Sequence, residues 1–170
     1  MSLFMCFDVE SVGLHGEGYA VGWVVFRDGK EVDAGYAGCD SEMAGGTPAD
    51  RDWINKHVDP HLPKHTCSKP VVVREIFWRE WMRWKEEGAY LVADCCWPVE
   101  ARFLVACIED GNGDRNWDGP YPLHDVASAR LVAGLDPLAT VDRLPNEMPK
   151  HHPTADARQS GRLWLEVVEE

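Results

Sequence analysis

The sequence predicts an α/β domain built on a mixed sheet. Short apolar runs at Leu3 to Val9, Tyr19 to Phe26 and Ala89 to Ala93 have the length and the valine and aromatic content of buried strands. Val73 to Glu87 places Val73, Phe77, Trp81 and Trp84 on one stripe at helical spacing. An Asp28-Gly29 pair joins the second run to a third as a hairpin, which makes the first three strands antiparallel.

Taken in order, Leu3 to Val9 is continuously apolar and reads as a strand covered on both faces. Tyr19 to Phe26 is the second strand, Arg27 to Lys30 the turn, and Glu31 to Gly38 the returning third strand. From Asp40 to Pro70 the periodicity fails under Gly, Pro and His, which predicts a long loop with a short helix near Pro48 to Val58. The helix from Val73 ends at Gly88, a residue suited to a left-handed C-terminal position. Ala89 to Ala93 is the fourth strand, and a helix follows from about Pro98, a suitable first helical residue, to Ile108. Gly111 to Pro122 is a polar loop, and Leu123-His124 leads into a helix starting near Asp125. After a Pro-rich connection from Asp136 to Pro149, the last helix spans Pro153 to Val168. Ala157, Ser160, Gly161, Trp164 and Val168 mark its packing face, and residues 166–170 form a solvated acidic end.

At 170 residues, 45% hydrophobic and 27% charged, the chain reads as one globular domain over 1–170. No apolar run reaches the roughly 18 residues of a membrane span, and no leader pattern opens the chain, so a cytoplasmic location is expected. The six cysteines then read as buried free thiols, and without a C-x-x-C pair nothing supports a zinc ribbon. The net charge of −12 argues against a protein that grips long duplexes with a basic stripe. A nucleic-acid substrate requires either a short strand or metal ions that reverse the charge at the site.

Candidate chemistry falls in three patches. Asp8 and Glu10, two apart at the carboxyl end of the first strand, project from one face. Adjacent carboxylates repel unless one is protonated or a cation sits between them, and hard oxygen ligands suit Mg²⁺ or Mn²⁺. The segment from Ala93 to Leu104 places Asp94 at a strand end and Glu100 in the first turn of the next helix, facing the same crevice. The segment His151-His152-Pro153-Thr154-Ala155-Asp156 puts a histidine in a loop and an aspartate in the first helical turn after it. A neutral imidazole there is suited to take a proton from attacking water.

In this order the patches resemble the DEDD superfamily of exonucleases, in the branch whose last motif contains a histidine. Asp8-Val9-Glu10-Ser11-Val12-Gly13-Leu14 is similar to the family's first motif, and His151 stands five residues before Asp156, the family's spacing. That spacing selects His151 over His152. Leu123-His124-Asp125-Val126 resembles the passage between the second and third motifs. The departure is at the second motif, where Glu100 stands before Phe103-Leu104 in place of an aspartate; Asp94 is the alternative ligand or an outer-sphere helper.

The resemblance implies a ribonuclease H-like fold, a mixed five-stranded sheet flanked by helices. It also implies two-metal 3′→5′ hydrolysis of single-stranded or short RNA or DNA to nucleoside 5′-monophosphates. Asp8, Glu10 and Asp156 would hold one Mg²⁺ or Mn²⁺, Asp8 and Glu100 the other, with His151 as general base. Val12, Gly13 and Leu14 would meet the terminal base. Relatives in the family are frequently homodimers, which makes a homodimer an expectation. The alternative is a weak or inactive nucleic-acid- or protein-binding module that keeps the fold.

Other features carry less. Trp78, Trp81 and Trp84 could stack on bases, but their spacing assigns them to packing. His57, His61 and His65 recur at four-residue steps with Cys67 close behind, yet Pro60 and Pro63 break the helix that would align them as a zinc site. Arg102, Arg158 and Arg162 are phosphate candidates or ion-paired arginines.

Overall fold

The chain turns back on itself at Asp28-Gly29, where both residues take positive φ (50° and 72°), the backbone that a two-residue hairpin of right-handed twist needs. In the computed structural model, which describes residues 2–168, this turn joins the second and third of five strands. The elements in chain order are β1 (Leu3–Ser11), β2 (Gly18–Arg27), β3 (Lys30–Gly38), α1 (Pro48–His57), α2 (Pro70–Glu86), β4 (Tyr90–Ala93), α3 (Val99–Glu109), β5 (His124–Asp125), α4 (Val126–Val132) and α5 (Pro153–Val168). The strands lie in the order β3-β2-β1-β4-β5. β1 pairs antiparallel with β2 and parallel with β4; β2–β3 is antiparallel and β4–β5 parallel. The fold is therefore an α/β mixed sheet flanked by helices. Among the described residues no helix is long and apolar enough to cross a membrane.

Several boundaries differ from the sequence reading. α2 begins at Pro70, ahead of Val73, because a proline there has no N–H to lose and a φ preset for the first turn. Pro98 caps α3 from outside instead of opening it. Val168 is exposed and leaves the packing face of α5 to Ala157, Ser160, Gly161, Leu163 and Trp164. Of the acidic end expected at residues 166–170, the last two lie outside the described residues. The six cysteines are free thiols, but only Cys6, Cys39 and Cys107 are buried, and Cys95 is exposed.

The alternation of a strand sends its side chains to two cores. Met5, Phe7 and Val9 of β1 join Trp23 and Val25 of β2 and the buried stripe of α2, including Trp78, Trp81 and Trp84. Phe4 and Cys6 face the other way with Val24 and Phe26, where Ala157, Leu163 and Trp164 of α5 cover them. On this second face the register pairs Asp8 with Gly22 and Glu10 with Ala20. Gly22 is where α5 comes closest to the sheet: a Cβ there would lie 2.1 Å from the backbone N of Thr154 and 2.3 Å from the carbonyl carbon of Pro153. The Thr154 hydroxyl donates to the Gly35 carbonyl at 2.9 Å and fixes the contact across β3. The first turn of α5 thus rests on backbone, next to Asp8.

On the first face, the buried Arg74 of α2 donates to Glu17 in the β1–β2 loop (2.8 Å) and to Asp110 after α3 (2.6 Å). It ties that loop to two helices.

The Gly22 contact gives a direct prediction. Gly22→Ala must force the first turn of α5 away from the sheet and should lower stability by roughly 1–3 kcal/mol, the usual cost of overpacking. An unchanged urea midpoint would contradict the close packing described here.

Candidate active site

The carboxylates come from β1, the end of β4, α3 and α5. Asp8 and Glu10 leave β1 on the α5 face, half-buried. Asp94 follows the end of β4, two residues beyond Val92, the partner of Cys6. Glu100 sits buried in the first turn of α3, where its carboxylate accepts from the backbone N–H of Val9 and from its own. Asp156 lies in the first turn of α5, positioned by the contact at Gly22.

Asp156 is held at both oxygens. Arg143, in the connection before α5, forms an ion pair with Oδ1 and also donates to the Glu147 carbonyl at 2.9 Å. Oδ2 accepts the backbone N–H of His151 at 3.1 Å. His151 takes a left-handed backbone (φ 65°), an uncommon state for a residue with a Cβ, and that hydrogen bond anchors it. Glu10, His151 and Asp156 each offer a ligand atom within 4.8 Å of the others. The exposed indole of Trp53, on α1, meets the His151 ring edge-on with centroids 5.9 Å apart.

The electrostatics follow from like charges held in a dry crevice. Burial, then Glu10, Asp156, Glu100 and Asp94 in that order, push the Asp8 carboxyl well above the usual carboxylate range. Burial followed by Asp156, Glu100 and Asp59 raises Glu10 to about 8. Burial raises Glu100 to about 7 against the two backbone hydrogen bonds that favour its ion. Asp94 also shifts upward, through desolvation and then Asp125, with Arg130 and Arg143 opposing. His151 shifts down, chiefly by burial, and Asp156 only partly restores it. An imidazole so placed is neutral and able to accept a proton.

The structure brings Asp8, Glu10, Glu100, His151 and Asp156 to one crevice, with Asp94 beside them. His152 points elsewhere, its ring 6.1 Å from that of Tyr36. Of the residues expected to meet a terminal base, Val12 is fully buried and packs against Gly46, so no ligand reaches it. Gly13 turns the chain at positive φ (75°), and Leu14, 66% exposed, is the one apolar side chain of that motif open to a ligand. Arg158 and Arg162 are engaged with Glu31 and Glu147 and hold α5 and its preceding connection in place.

Sequence reasoning missed Arg143, Asp59 and Trp53. Asp59 accepts from Tyr19 (2.9 Å) and Ser41 (2.9 Å) within hearing of Glu10. Arg143 and Asp59 lie in non-periodic segments, and the only signal for Trp53 was a large aromatic on the polar helix predicted at Pro48 to Val58. The chain matches no model of a known protein family and no curated protein.

The raised carboxyls fix the sign of a pH effect. Between about pH 4.5 and 8 the folded protein binds protons that the unfolded chain has released, so the stability these groups contribute is lost as pH rises through that window. In a chelator-treated sample, thermal unfolding should occur at lower temperature at pH 8 than at pH 6, and Glu10→Gln should flatten the difference. Identical pH profiles for the wild type and the variant would show that Glu10 ionises as freely as in water.

Proposed function

We propose that the chain is a metal-dependent 3′→5′ exonuclease of the DEDDh type, with a ribonuclease H-like fold, that hydrolyses single-stranded RNA or DNA to nucleoside 5′-monophosphates. The observation that carries this reading is the approach of Glu10, His151 and Asp156, with ligand atoms within 4.8 Å of one another, in a crevice where Asp8 feels the charges of Glu10, Asp156 and Glu100. The donor set suits Mg²⁺ or Mn²⁺: the ligands are hard oxygens, and their mutual repulsion is relieved by a divalent cation. Two such ions, when bound, supply a nucleophilic water and charge stabilisation for an in-line displacement at phosphorus.

The residues of the chain have separable roles. Asp8, Glu10 and Asp156 would hold one ion, and Asp8 with Glu100 the other; Asp94 stands in reserve as an outer-sphere acceptor. His151, kept neutral by burial, takes the proton of the attacking water. Arg143 orients Asp156 through their ion pair. Leu14 and Trp53 expose apolar surface beside the crevice, suited to bracket the terminal nucleoside.

A binding module without turnover is the second reading, and the Arg143 ion pair on Asp156 favours it: a guanidinium there competes with a cation for the same carboxylate. A time course on 5′-labelled single strands separates the two. The exonuclease reading expects a ladder shortening from the 3′ end with Mn²⁺ or Mg²⁺, abolished by chelator and by Asp8→Ala. His151→Ala should lower kcat by roughly 10²–10⁴-fold, as expected on removal of a general base. Binding of the strands with no shortening under either metal would establish the second reading.

A further inference from the structure

A cavity of about 850 Å³ lies between the loop after β1 and the outer face of α3. That volume falls in the upper part of the range for ligand sites, roughly 300–1,000 Å³. Both walls belong to segments that carry site residues: the loop follows Glu10 at the end of β1, and the first turn of α3 carries Glu100. Pro98, Ala101 and Arg102 line the cavity, and Glu100 between them turns its carboxylate to the Val9 N–H beside Asp8 and Glu10. Gly16, Gly18 and Gly45 form part of the opposite wall, which brings bare backbone within reach of a ligand.

The charge pattern in this cavity is unusual for the protein. Of the eleven arginines, all among the described residues, only Arg79 and Arg102 make no hydrogen bond or ion pair, and Arg79 does not line the cavity. Two of the acids in the cavity wall, Glu17 and Asp110, are already paired with Arg74. The third, Glu109, lies two helical turns from Arg102, roughly 10 Å along α3. Trp97, 73% exposed, lines the same cavity as Arg102. An unpaired guanidinium and an open indole in one cavity are a combination suited to a phosphate and the base attached to it.

Resting on the exonuclease reading above, we propose that this cavity is the path of the single strand 5′ to the scissile phosphate, with an upstream base stacked on Trp97 and its phosphate held by Arg102. The cavity, not the terminal-nucleotide site, then sets the preference for strands over dinucleotides.

Fluorescence anisotropy on labelled octathymidylate, octauridylate and the matching dinucleotides, with Ca²⁺ present, tests the assignment. Arg102→Ala and Trp97→Ala should each weaken octanucleotide binding about tenfold, with a smaller loss for dinucleotides. For Arg102→Ala the slope of log affinity against log salt should fall by roughly 0.7, the value for one phosphate of a single strand, a change that a purely structural role would not produce. Gly45→Phe supplies a steric test: a Cβ at Gly45 meets nothing closer than 3.7 Å. The variant should therefore keep its unfolding temperature while obstructing the cavity and losing octanucleotide affinity. If all three variants bind octanucleotides as the wild type does, the cavity assignment is overturned and the exonuclease reading stands. If the wild type neither binds nor shortens either octanucleotide, both are overturned.

Discussion

The site depends on one close approach, that of the first turn of α5 to the backbone of Gly22. Because Gly22 is the register partner of Asp8, and Ala20 that of Glu10, the two acids of β1 stand beside strand positions with almost no side chain. The space left over is filled by helix backbone, with 2.1 Å between a notional Cβ and Thr154 N. The same contact that seats α5 therefore brings Asp156 against Asp8, and the hydrogen bond that the His151 N–H donates to Asp156 carries the histidine with it. A bulkier residue at either small position would separate the acids and relax their repulsion, at the expense of the site.

That repulsion is the second physical fact of the molecule. Burial alone makes ionised carboxylates costly, and here each is also in the field of the others, with Arg143 as the cation in contact with Asp156. A stable fold would not gather these groups for packing reasons, since apolar side chains of similar volume would serve better. The surrounding architecture is arranged to hold them: Glu147, buried and paired with Arg162, fixes the connection that bears Arg143, and Arg74 braces the loop that follows Glu10. Most arginines are committed to such bracing, which is why the unpaired Arg102 in the cavity wall stands out.

The fold was legible where hydrophobic pattern and turn chemistry agree. The strand at Leu3, the Asp28-Gly29 hairpin and the buried stripe of α2 each follow from periodicity or from a backbone conformation few residues adopt. Asp8 and Glu10 could be placed on one face from strand alternation alone. Two kinds of feature were not legible. Arg143 and Asp59 act across long sequence separations from segments without periodicity, so nothing local announces their partners. Val12 looked available because it follows an acidic motif, but the loop folds it inward onto Gly46. A readable signal did exist in Tyr19-Ala20-Val21-Gly22, where large and small residues alternate: the small face marks a strand that another backbone must approach.

The central claim is that the crevice is built for divalent cations, and a calorimetric titration of metal-free protein with Mn²⁺, wild type beside Asp8→Asn, tests it most directly. The account predicts saturable binding of two ions to the wild type, with the loss of at least one in the variant because Asp8 is shared between them. Wild-type protein that takes up no Mn²⁺ through the millimolar range, while remaining folded, would contradict it.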